Sequence, residues 1–330
     1  MRVLAAPDKF RGSLTALEVT NAIEKAVKRS GGISVGAPMA DGGEGTLEVL
    51  GGPNRTTTVT GPSGVPVEAE WRLTGITAVI EVARTSGLLL AGGPETNNPL
   101  EATTKGTGEL IRCALEQGAK RIIVGLGGSA STDGGLGALK AMGPLARYKG
   151  IELIAACDVR TEFLSSANSF AAQKGATSPE VKFLNRRLQR LTQVYEEEYG
   201  VSVDEIPRAG AAGGLAGGLF VAGAKLVDGF DFIAQEIGLD EMILESDMVI
   251  TGEGHLDATS FEGKVVSGVC RYAAATLTPV FVIAGAISSE VAEKVECVSL
   301  VETFGKERAF SETELCIEEL VIERIKLFSK

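Results

Sequence analysis

The sequence predicts an α/β fold divided into two domains. The chain has 330 residues, and a single hydrophobic core usually stops growing at roughly 250 to 300 residues. Both ends of the chain alternate short apolar strands with helices, which is the pattern of a parallel sheet covered by helices. Residues 56–83 instead contain β-rich runs separated by turn signals, with no helix between them. We therefore expect one domain built from both termini and a second domain inserted in the middle.

The first 50 residues follow the order strand, helix, strand, helix. Residues 2–6 form an apolar strand, and Ser13 is predicted to cap a helix that runs to about Arg29. A second strand at 33–37 leads into the loop PMADGGEGT, which precedes a short helix through Leu50. The apolar face of the first helix is predicted to contain Leu17, Ala22 or Ile23, Ala26 and Val27.

The middle of the chain begins with the antiparallel region at 56–83, so a new domain is expected to begin near Gly61. It continues with a helix from about Thr107 to Gln117, a buried strand at 121–125, the loop GLGGSASTDGG and a helix through Met142. Residues 185–199 predict a surface helix whose apolar positions are Leu188, Leu191 and Tyr195.

The last third returns to the opening pattern. A strand at 248–250 leads into TGEG, a helix follows Gly263, and a strand at 279–284 leads into GAIS. A strand near 298–301 and a helix from about Thr313 complete the chain. We therefore assign residues 1–60 and 240–330 to the first domain and residues 61–239 to the inserted α/β domain.

The net charge of −11 argues against nonspecific binding to nucleic acid or to anionic membranes, because those surfaces would repel the protein. An anionic small molecule remains compatible, since N–H groups, lysines and Mg²⁺ can outweigh the mean field locally. Five cysteines without CxxC or metal-finger spacing indicate reduced thiols in a cytoplasmic protein. The first residues lack the apolar segment of a signal peptide, and no apolar run is long enough to span a membrane. Small-molecule substrates are the expected partners, and a homodimer stays open.

Several loops that follow predicted strands are rich in glycine and acidic residues. In open parallel sheets, ligands bind beyond the carboxyl ends of the strands. Convergent carboxylates at such ends bind Mg²⁺ or accept a proton, and the aspartates at or just past predicted strand ends are Asp8, Asp41, Asp158 and Asp257. The loop GGSASTDGG before a helix can present N–H groups to an anion, although such a loop is often only a tight connection.

Other features exclude classes of enzyme. The chain has no GxxxxGK[ST] motif, which disfavours a P-loop NTPase, and no GxGxxG after the first strand, which disfavours a dinucleotide-dependent dehydrogenase. His255 is the only histidine, so a Ser-His-Asp triad would have to use it; the favoured interpretation is an ordinary polar loop residue beside Glu253 and Asp257. A phosphate contact and a solvated surface role are both open for the loop cations Lys9, Arg11, Lys174 and Lys264.

Eight motifs, in this order, resemble those of the glycerate kinase family and span nearly the whole chain. They are APDKFRGSLTA, PMADGGEGT, NPLEATTKGTGELI, GGSASTDGG, CDV, AQKGAT, GAAGGLAGGL and TGEGHLD with GK at 263–264. The resemblance implies a two-domain fold with one flavodoxin-like or Rossmann-like domain and an active site in the interdomain cleft. It also implies Mg²⁺-dependent transfer of the γ-phosphoryl group of ATP to a hydroxyl of D-glycerate.

The resemblance further implies roles for individual residues. Asp158 would be the base that accepts the hydroxyl proton, with Lys174 and Lys264 as further catalytic groups. Asp41 and Asp257 would bind Mg²⁺. The residues expected to bind substrate or nucleotide are Lys9, Arg11, Ser13, Asp41, Glu44, Gly127, Gly128, Ser129, Thr132, Asp133, Gly213, Gly214, Glu253 and His255.

Three departures from the family pattern bear on activity. After CDV the family usually continues with an Asn-Pro-Leu stretch and glycines, whereas this chain reads RTEFLSSANSFAAQKG. A long segment is missing between Met142 and Ile151, and Thr259-Ser260 stands where the family favours Gln-Thr. Beside an active glycerate kinase, we therefore consider an impaired relative that binds a metabolite or partner without turnover, or a kinase for a related hydroxy acid.

Overall fold

The computed structural model describes residues 1–257, 260, 264–288 and 296–328. The chain forms two compact units. Unit 1 comprises Met1–Asp41, Glu48–Leu50 and Phe230–Lys330, and unit 2 comprises Gly42–Leu47 and Gly51–Gly229. Each unit combines helices with a sheet that is largely or wholly parallel, which confirms the predicted fold class.

The strands, in chain order, are β1 (Arg2–Ala5), β2 (Ile33–Gly36), β3 (Arg55–Thr60), β4 (Pro66–Thr74), β5 (Thr77–Glu81), β6 (Arg121–Gly125), β7 (Glu152–Cys157), β8 (Lys225–Asp228), β9 (Met248–Leu256), β10 (Val280–Ile287) and β11 (Cys297–Ser299). The α-helices are α1 (Ala16–Arg29), α2 (Thr46–Val49), α3 (Ala83–Ser86), α4 (Lys105–Glu116), α5 (Leu136–Met142), α6 (Ser166–Phe170), α7 (Ser178–Tyr199), α8 (Leu215–Val221), α9 (Gly229–Ile237), α10 (Leu239–Leu244), α11 (Val265–Thr276), α12 (Leu300–Phe304), α13 (Lys306–Ser311) and α14 (Thr313–Phe328). Short 3₁₀ helices span Leu145–Tyr148, Phe163–Ser165, Ala172–Lys174 and Ala211–Gly214.

Unit 1 contains a parallel sheet with the strand order β11-β10-β9-β1-β2. Side chains alternate between its two faces, as the pleat of a strand requires. Val3 packs with residues of α1 and α14 in one buried cluster, whereas Leu4 packs with residues of α9 and α11 in another. Helices therefore cover both faces of the sheet. No described helix combines the length and apolar composition that a membrane crossing would need.

The N-cap of α1 is Thr15, two residues after the predicted cap, Ser13. Thr15 and Glu18 form a reciprocal capping box, in which each side chain bonds the backbone N–H of the other residue. Ser13 lies outside the helix, and its hydroxyl is hydrogen-bonded to Thr313 instead. Leu17 is 52% exposed, so its assignment to the apolar face was wrong, whereas Ala22, Ile23, Ala26 and Val27 are buried.

Strands β9 and β10 are longer than the sequence predicts. The segment TGEGHL was expected to be a loop, but it continues β9 because β10 pairs with it as far as Leu256 and Ile287. The expected strand at 298–301 stops at Ser299, whose hydroxyl accepts the N–H of Glu302 and so begins α12. The helix expected after Gly263 is α11, which begins at Val265 with Lys264 as its N-cap. The motif position Thr259 lies outside the described residues.

Unit 2 contains a mixed sheet with the order β3-β4-β5-β6-β7-β8. Strands β3 to β5 are antiparallel, which confirms the predicted antiparallel region, and β5 to β8 are parallel. The core includes Trp71, Leu110 and Ile122, all fully buried. Helix α7 begins at Ser178, earlier than predicted, because Thr177 and Glu180 form another capping box.

The unit boundaries differ from those expected from the sequence. Strand β3 pairs with β4, so unit 2 already includes residue 51 rather than starting at 61. Phe230 and Ile233 pack in a core cluster of unit 1, so that unit resumes at residue 230 rather than 240. All five cysteines are free thiols, as expected.

Candidate functional site

Unit 1 gathers acidic side chains at the carboxyl edge of its parallel sheet. Asp8 follows β1, Asp41 follows β2, and Asp257 follows β9 directly. Glu253 lies within β9 rather than in the loop that the sequence predicts. We call Asp8, Asp41, Glu253 and Asp257 the acidic group of unit 1. Their carboxylates influence one another electrostatically at this edge of the sheet. Asp158, which the sequence places in the same set of aspartates, belongs to unit 2.

Two carboxyl groups of the acidic group have raised pKa values. Burial, together with the charges of Asp41 and Glu253, raises the pKa of Asp8 to about 7, although Lys9 opposes this rise. Burial also raises the pKa of Glu253, against a hydrogen bond from Ser260 and the charge of Lys264. Desolvation and like charge both disfavour the carboxylate form, which explains the two shifts.

These residues fit a divalent cation. Within the described residues, Oε1 of Glu253 is buried without a hydrogen-bond partner. An oxygen-binding cation would satisfy it and offset the repulsion among the acids. The described residues contain no group of three or more His, Cys, Asp or Glu side chains arranged to hold a metal alone. Mg²⁺ commonly binds through one or two carboxylates together with substrate phosphates, so such a cage is not required.

The remaining predicted residues of unit 1 lie around the first loop and β9. Lys9 donates its backbone N–H to Oδ1 of Asp8 over 2.7 Å. Arg11 is exposed in the same loop, whereas the Ser13 hydroxyl is engaged with Thr313. His255 is exposed on β9, and its Nε2 lies 3.2 Å from the Ser288 hydroxyl. Lys264 is the N-cap residue of α11. Of these cations, Lys9 and Lys264 act electrostatically on the acidic group.

Unit 2 carries the glycine-rich loop at 125–135, between β6 and α5. Buried or half-buried side chains from distant parts of the unit donate hydrogen bonds to four of its carbonyl oxygens. The pairs are Asn97 Nδ2 with Ala130 at 3.0 Å, Lys174 Nζ with Ser131 at 2.6 Å, an Arg187 guanidinium N–H with Thr132 at 2.8 Å, and Tyr195 Oη with Gly134 at 2.8 Å. These four hydrogen bonds therefore fix the backbone of the second half of the loop.

Three residues that the sequence assigns to the site, Lys174, Thr132 and Asp133, contribute to the support of this loop. Burial lowers the pKa of Lys174 to about 8, while the charge of Asp133 raises it. The Asp133 carboxylate accepts the N–H groups of Thr104, Gly135 and Gly137, at 2.8, 3.0 and 3.3 Å, and so links the N-terminal ends of the helices α4 and α5. Thr132 is fully buried, whereas Gly127 and Gly128 reach the surface.

The segment 42–47 lies against the glycine-rich loop within unit 2. A β-carbon on Gly127 would approach Gly43 Cα to 2.4 Å, and one on Gly128 would lie 2.8 Å from Oε1 of Glu44. Only glycine permits this approach. Glu81 fixes the segment, because its Oε1 accepts the N–H groups of Gly45 and Leu47 at 2.9 and 2.8 Å. Glu44 and the exposed start of the loop are therefore neighbours.

Asp158 directly follows β7, at the same sheet edge as the glycine-rich loop that follows β6. Gly213 and Gly214 pack against that loop with φ of 72° and 86°. A β-carbon on Gly213 would lie 1.9 Å from the Ser131 carbonyl oxygen. In unit 2, Gly213 and Gly214 thus allow the backbone to pack closely against the glycine-rich loop.

Sequence reasoning missed several residues that support the site, namely Glu81, Asn97, Arg187, Tyr195 and Arg208. One local signal was available, because Glu81 ends an otherwise apolar strand. Asn97, Arg187 and Tyr195 act through contacts between residues 33 to 87 positions apart, and the Arg208 side chain through contacts 20 to 51 positions apart, which no local pattern reveals.

Comparison with known proteins agrees with the motifs. The model of the Glycerate kinase family matches residues 3–147 and 144–323. Glycerate 2-kinase of Escherichia coli K12 is 37% identical, covering 88% of this chain and 87% of its own length. Glycerate kinase of Halalkalibacterium halodurans is 38% identical, covering 86% and 85%. A crystal structure from Salmonella typhimurium LT2, assigned as glycerate kinase 2, matches with a TM-score of 0.84 and 30% identity over 100% of this chain and 98% of that one. The chain therefore belongs to the glycerate kinase family.

Proposed function

We propose that the protein phosphorylates D-glycerate with ATP, giving a phosphoglycerate and ADP. Membership of the glycerate kinase family supports this activity. The acidic group of unit 1, with the raised pKa values of Asp8 and Glu253 and the unsatisfied Glu253 oxygen, is the structural observation that carries the proposal. Such a group suits a cation that accompanies nucleotide phosphates.

Mg²⁺, when bound, would supply charge neutralisation for the phosphate oxygens. We propose Asp41 and Asp257 as its ligands, with Glu253 and Glu44 binding Mg²⁺ or the substrate hydroxyls. Lys9, Arg11, Ser13 and Lys264 would hold the carboxylate or a phosphate, and His255 would belong to the same binding surface. These assignments agree with the position of Lys9 and Lys264 beside the acidic group.

In the transfer step, a glycerate hydroxyl oxygen bonds to the γ-phosphorus while the bond to the bridging oxygen of ADP breaks. We propose that Asp158 accepts the hydroxyl proton. The start of the glycine-rich loop, Gly127 to Ser129, would bind phosphate through its backbone; Gly127 and Gly128 reach the surface, whereas the Ser129 side chain is buried. For Lys174, Thr132, Asp133, Gly213 and Gly214 we propose a contribution through the shape of this loop, supported by the bond of Lys174 to the Ser131 carbonyl.

A coupled assay of ADP release tests the function. We expect release that requires both D-glycerate and Mg²⁺, that stops with EDTA, and whose product NMR identifies as 2- or 3-phosphoglycerate. A panel of related hydroxy acids tests a shifted acceptor. If no acid supports release but ATP or glycerate still raises the melting temperature, the protein binds without turnover. We also place the activity in the cytoplasm, where free thiols stay reduced, and propose a homodimer, to be tested by light scattering.

A further inference from the structure

Arg208 makes an unusual set of contacts around Asp158. One guanidinium nitrogen, Nη1, donates to the carbonyl oxygens of Cys157 and Val159 at 3.1 and 3.2 Å. These are the two residues that flank Asp158 in the chain. The other nitrogen, Nη2, forms an ion pair with Oδ2 of Asp228 at 2.8 Å, at the end of the neighbouring strand β8. The guanidinium thus joins both sides of the Asp158 turn to the sheet.

The backbone of Arg208 supports the same turn at a conformational cost. Its φ is 74°, in the left-handed region that an L-residue with a side chain rarely adopts. From there its N–H reaches the Arg160 carbonyl at 3.4 Å, and Gly210 donates to the Thr161 carbonyl at 2.9 Å. A strained residue persists when its surroundings fix it, and such residues concentrate at functional sites.

We propose that Arg208 is a positioning residue for the phosphoryl transfer, holding the Cys157–Val159 turn so that the Asp158 carboxylate keeps one place and direction. This inference rests on the proposed function, because it takes Asp158 as the base. The hydrogen bonds to Cys157, Val159 and Arg160 all end on the segment that carries Asp158. A displacement of a base by about 1 Å can lower turnover as much as hundredfold, so a brace of this kind affects rate more than binding.

The test compares three variants with the wild type. Arg208→Gly removes the guanidinium and accepts the left-handed backbone without strain. Arg208→Lys keeps a positive charge but loses the planar fork that binds two carbonyls and a carboxylate. Arg121→Met is the matched control, since Arg121 pairs with Glu152 at the amino ends of β6 and β7.

We expect Arg208→Gly to lower kcat about ten- to hundredfold, with the KM values for ATP and glycerate changed by less than about threefold. Arg208→Lys should recover part of that loss, and Arg121→Met should match the wild type. Turnover of Arg208→Gly within about twofold of the wild type would overturn the inference. Equal losses in kcat and in ligand-induced stabilisation would also overturn it, because they would indicate a general structural defect.

Hydrogen exchange separates this inference from the proposed function. Deuterium uptake by a peptide covering residues 157–165 should rise in Arg208→Gly, while uptake by a peptide covering β6 stays unchanged. If the wild type fails to phosphorylate glycerate but deuterium uptake still rises in Arg208→Gly, the proposed function is wrong, whereas the support of the Cys157–Val159 turn by Arg208 is confirmed. If the wild type is active and uptake and kcat both stay unchanged in Arg208→Gly, the brace is wrong.

Discussion

The ammonium group of Lys174 lies 2.6 Å from the carbonyl oxygen of Ser131 and is buried beneath the glycine-rich loop. A buried lysine is costly unless its donors are used, and a backbone carbonyl uses only one of them. The bond therefore ties the shape of the loop to the protonation of one interior side chain.

The stability of the protein should depend on pH through Lys174. Its pKa is lowered by burial to about 8 from 10.5, so between these values the unfolded chain binds more protons than the folded one. The free energy of unfolding then rises with pH across this window, by up to about 3 kcal/mol at 1.36 kcal/mol per pKa unit. Urea denaturation across this window should show the rise in the wild type and not in Lys174→Met. Parallel curves for the two proteins would contradict the prediction.

Asp8 should have the opposite dependence. Its pKa is raised by burial to about 7 from 3.8, so the folded state binds more protons between these values and stability falls as pH rises through them. Above this window, in EDTA, Asp8→Asn should be more stable than the wild type, by up to about 4 kcal/mol. Near the lower end of the window the two proteins should be similar. If Asp8→Asn is less stable than the wild type at both ends of this pH window, the folded state stabilises the charged carboxylate of Asp8, and the prediction is wrong.

Asp158→Asn should lower kcat by about hundredfold or more, the usual size of the loss of a general base. Because the amide has nearly the shape of the carboxylate, ATP and glycerate should still raise the melting temperature as in the wild type. The coupled ADP assay and thermal unfolding with each ligand provide the two measurements. Near-normal turnover would remove Asp158 from the mechanism.

Gly213→Ala should destabilise unit 2 strongly. The new methyl group would lie 1.9 Å from the Ser131 carbonyl oxygen, so the loop or the helix α8 would have to move. Gly223→Ala is the matched control, because Gly223 also has positive φ, of 91°, but nothing lies within 4 Å of an added β-carbon. We expect about 1 to 2 kcal/mol of destabilisation for the control and at least about 2 kcal/mol more for Gly213→Ala. Denaturant titration measures the free energy of unfolding of both variants. Equal losses of stability would mean that the loop moves aside at little cost in free energy.

The sequence predicts elements whose signals are local and consistent. Strand β6 was predicted with its bounds, since the β-branched apolar residues Ile122, Ile123 and Val124 form a short run between turn signals. The buried face of α7 was predicted because Leu188, Leu191 and Tyr195 recur at helical spacing. Errors arose where two local solutions competed. Ser13 and Thr15 are both good N-cap residues, and only Thr15 has a glutamate three residues later.

The sequence by itself determined the fold class, the family and which loops follow the carboxyl ends of strands, because these follow from periodicity and from motifs contiguous in the chain. Only the tertiary structure decided that β9 continues through Glu253, since that depends on pairing with β10. It alone decided that Lys174 bonds to Ser131 and that Arg208 brackets Asp158. Burial and charge-charge distance set the pKa of Asp8, and neither quantity exists until the chain has folded.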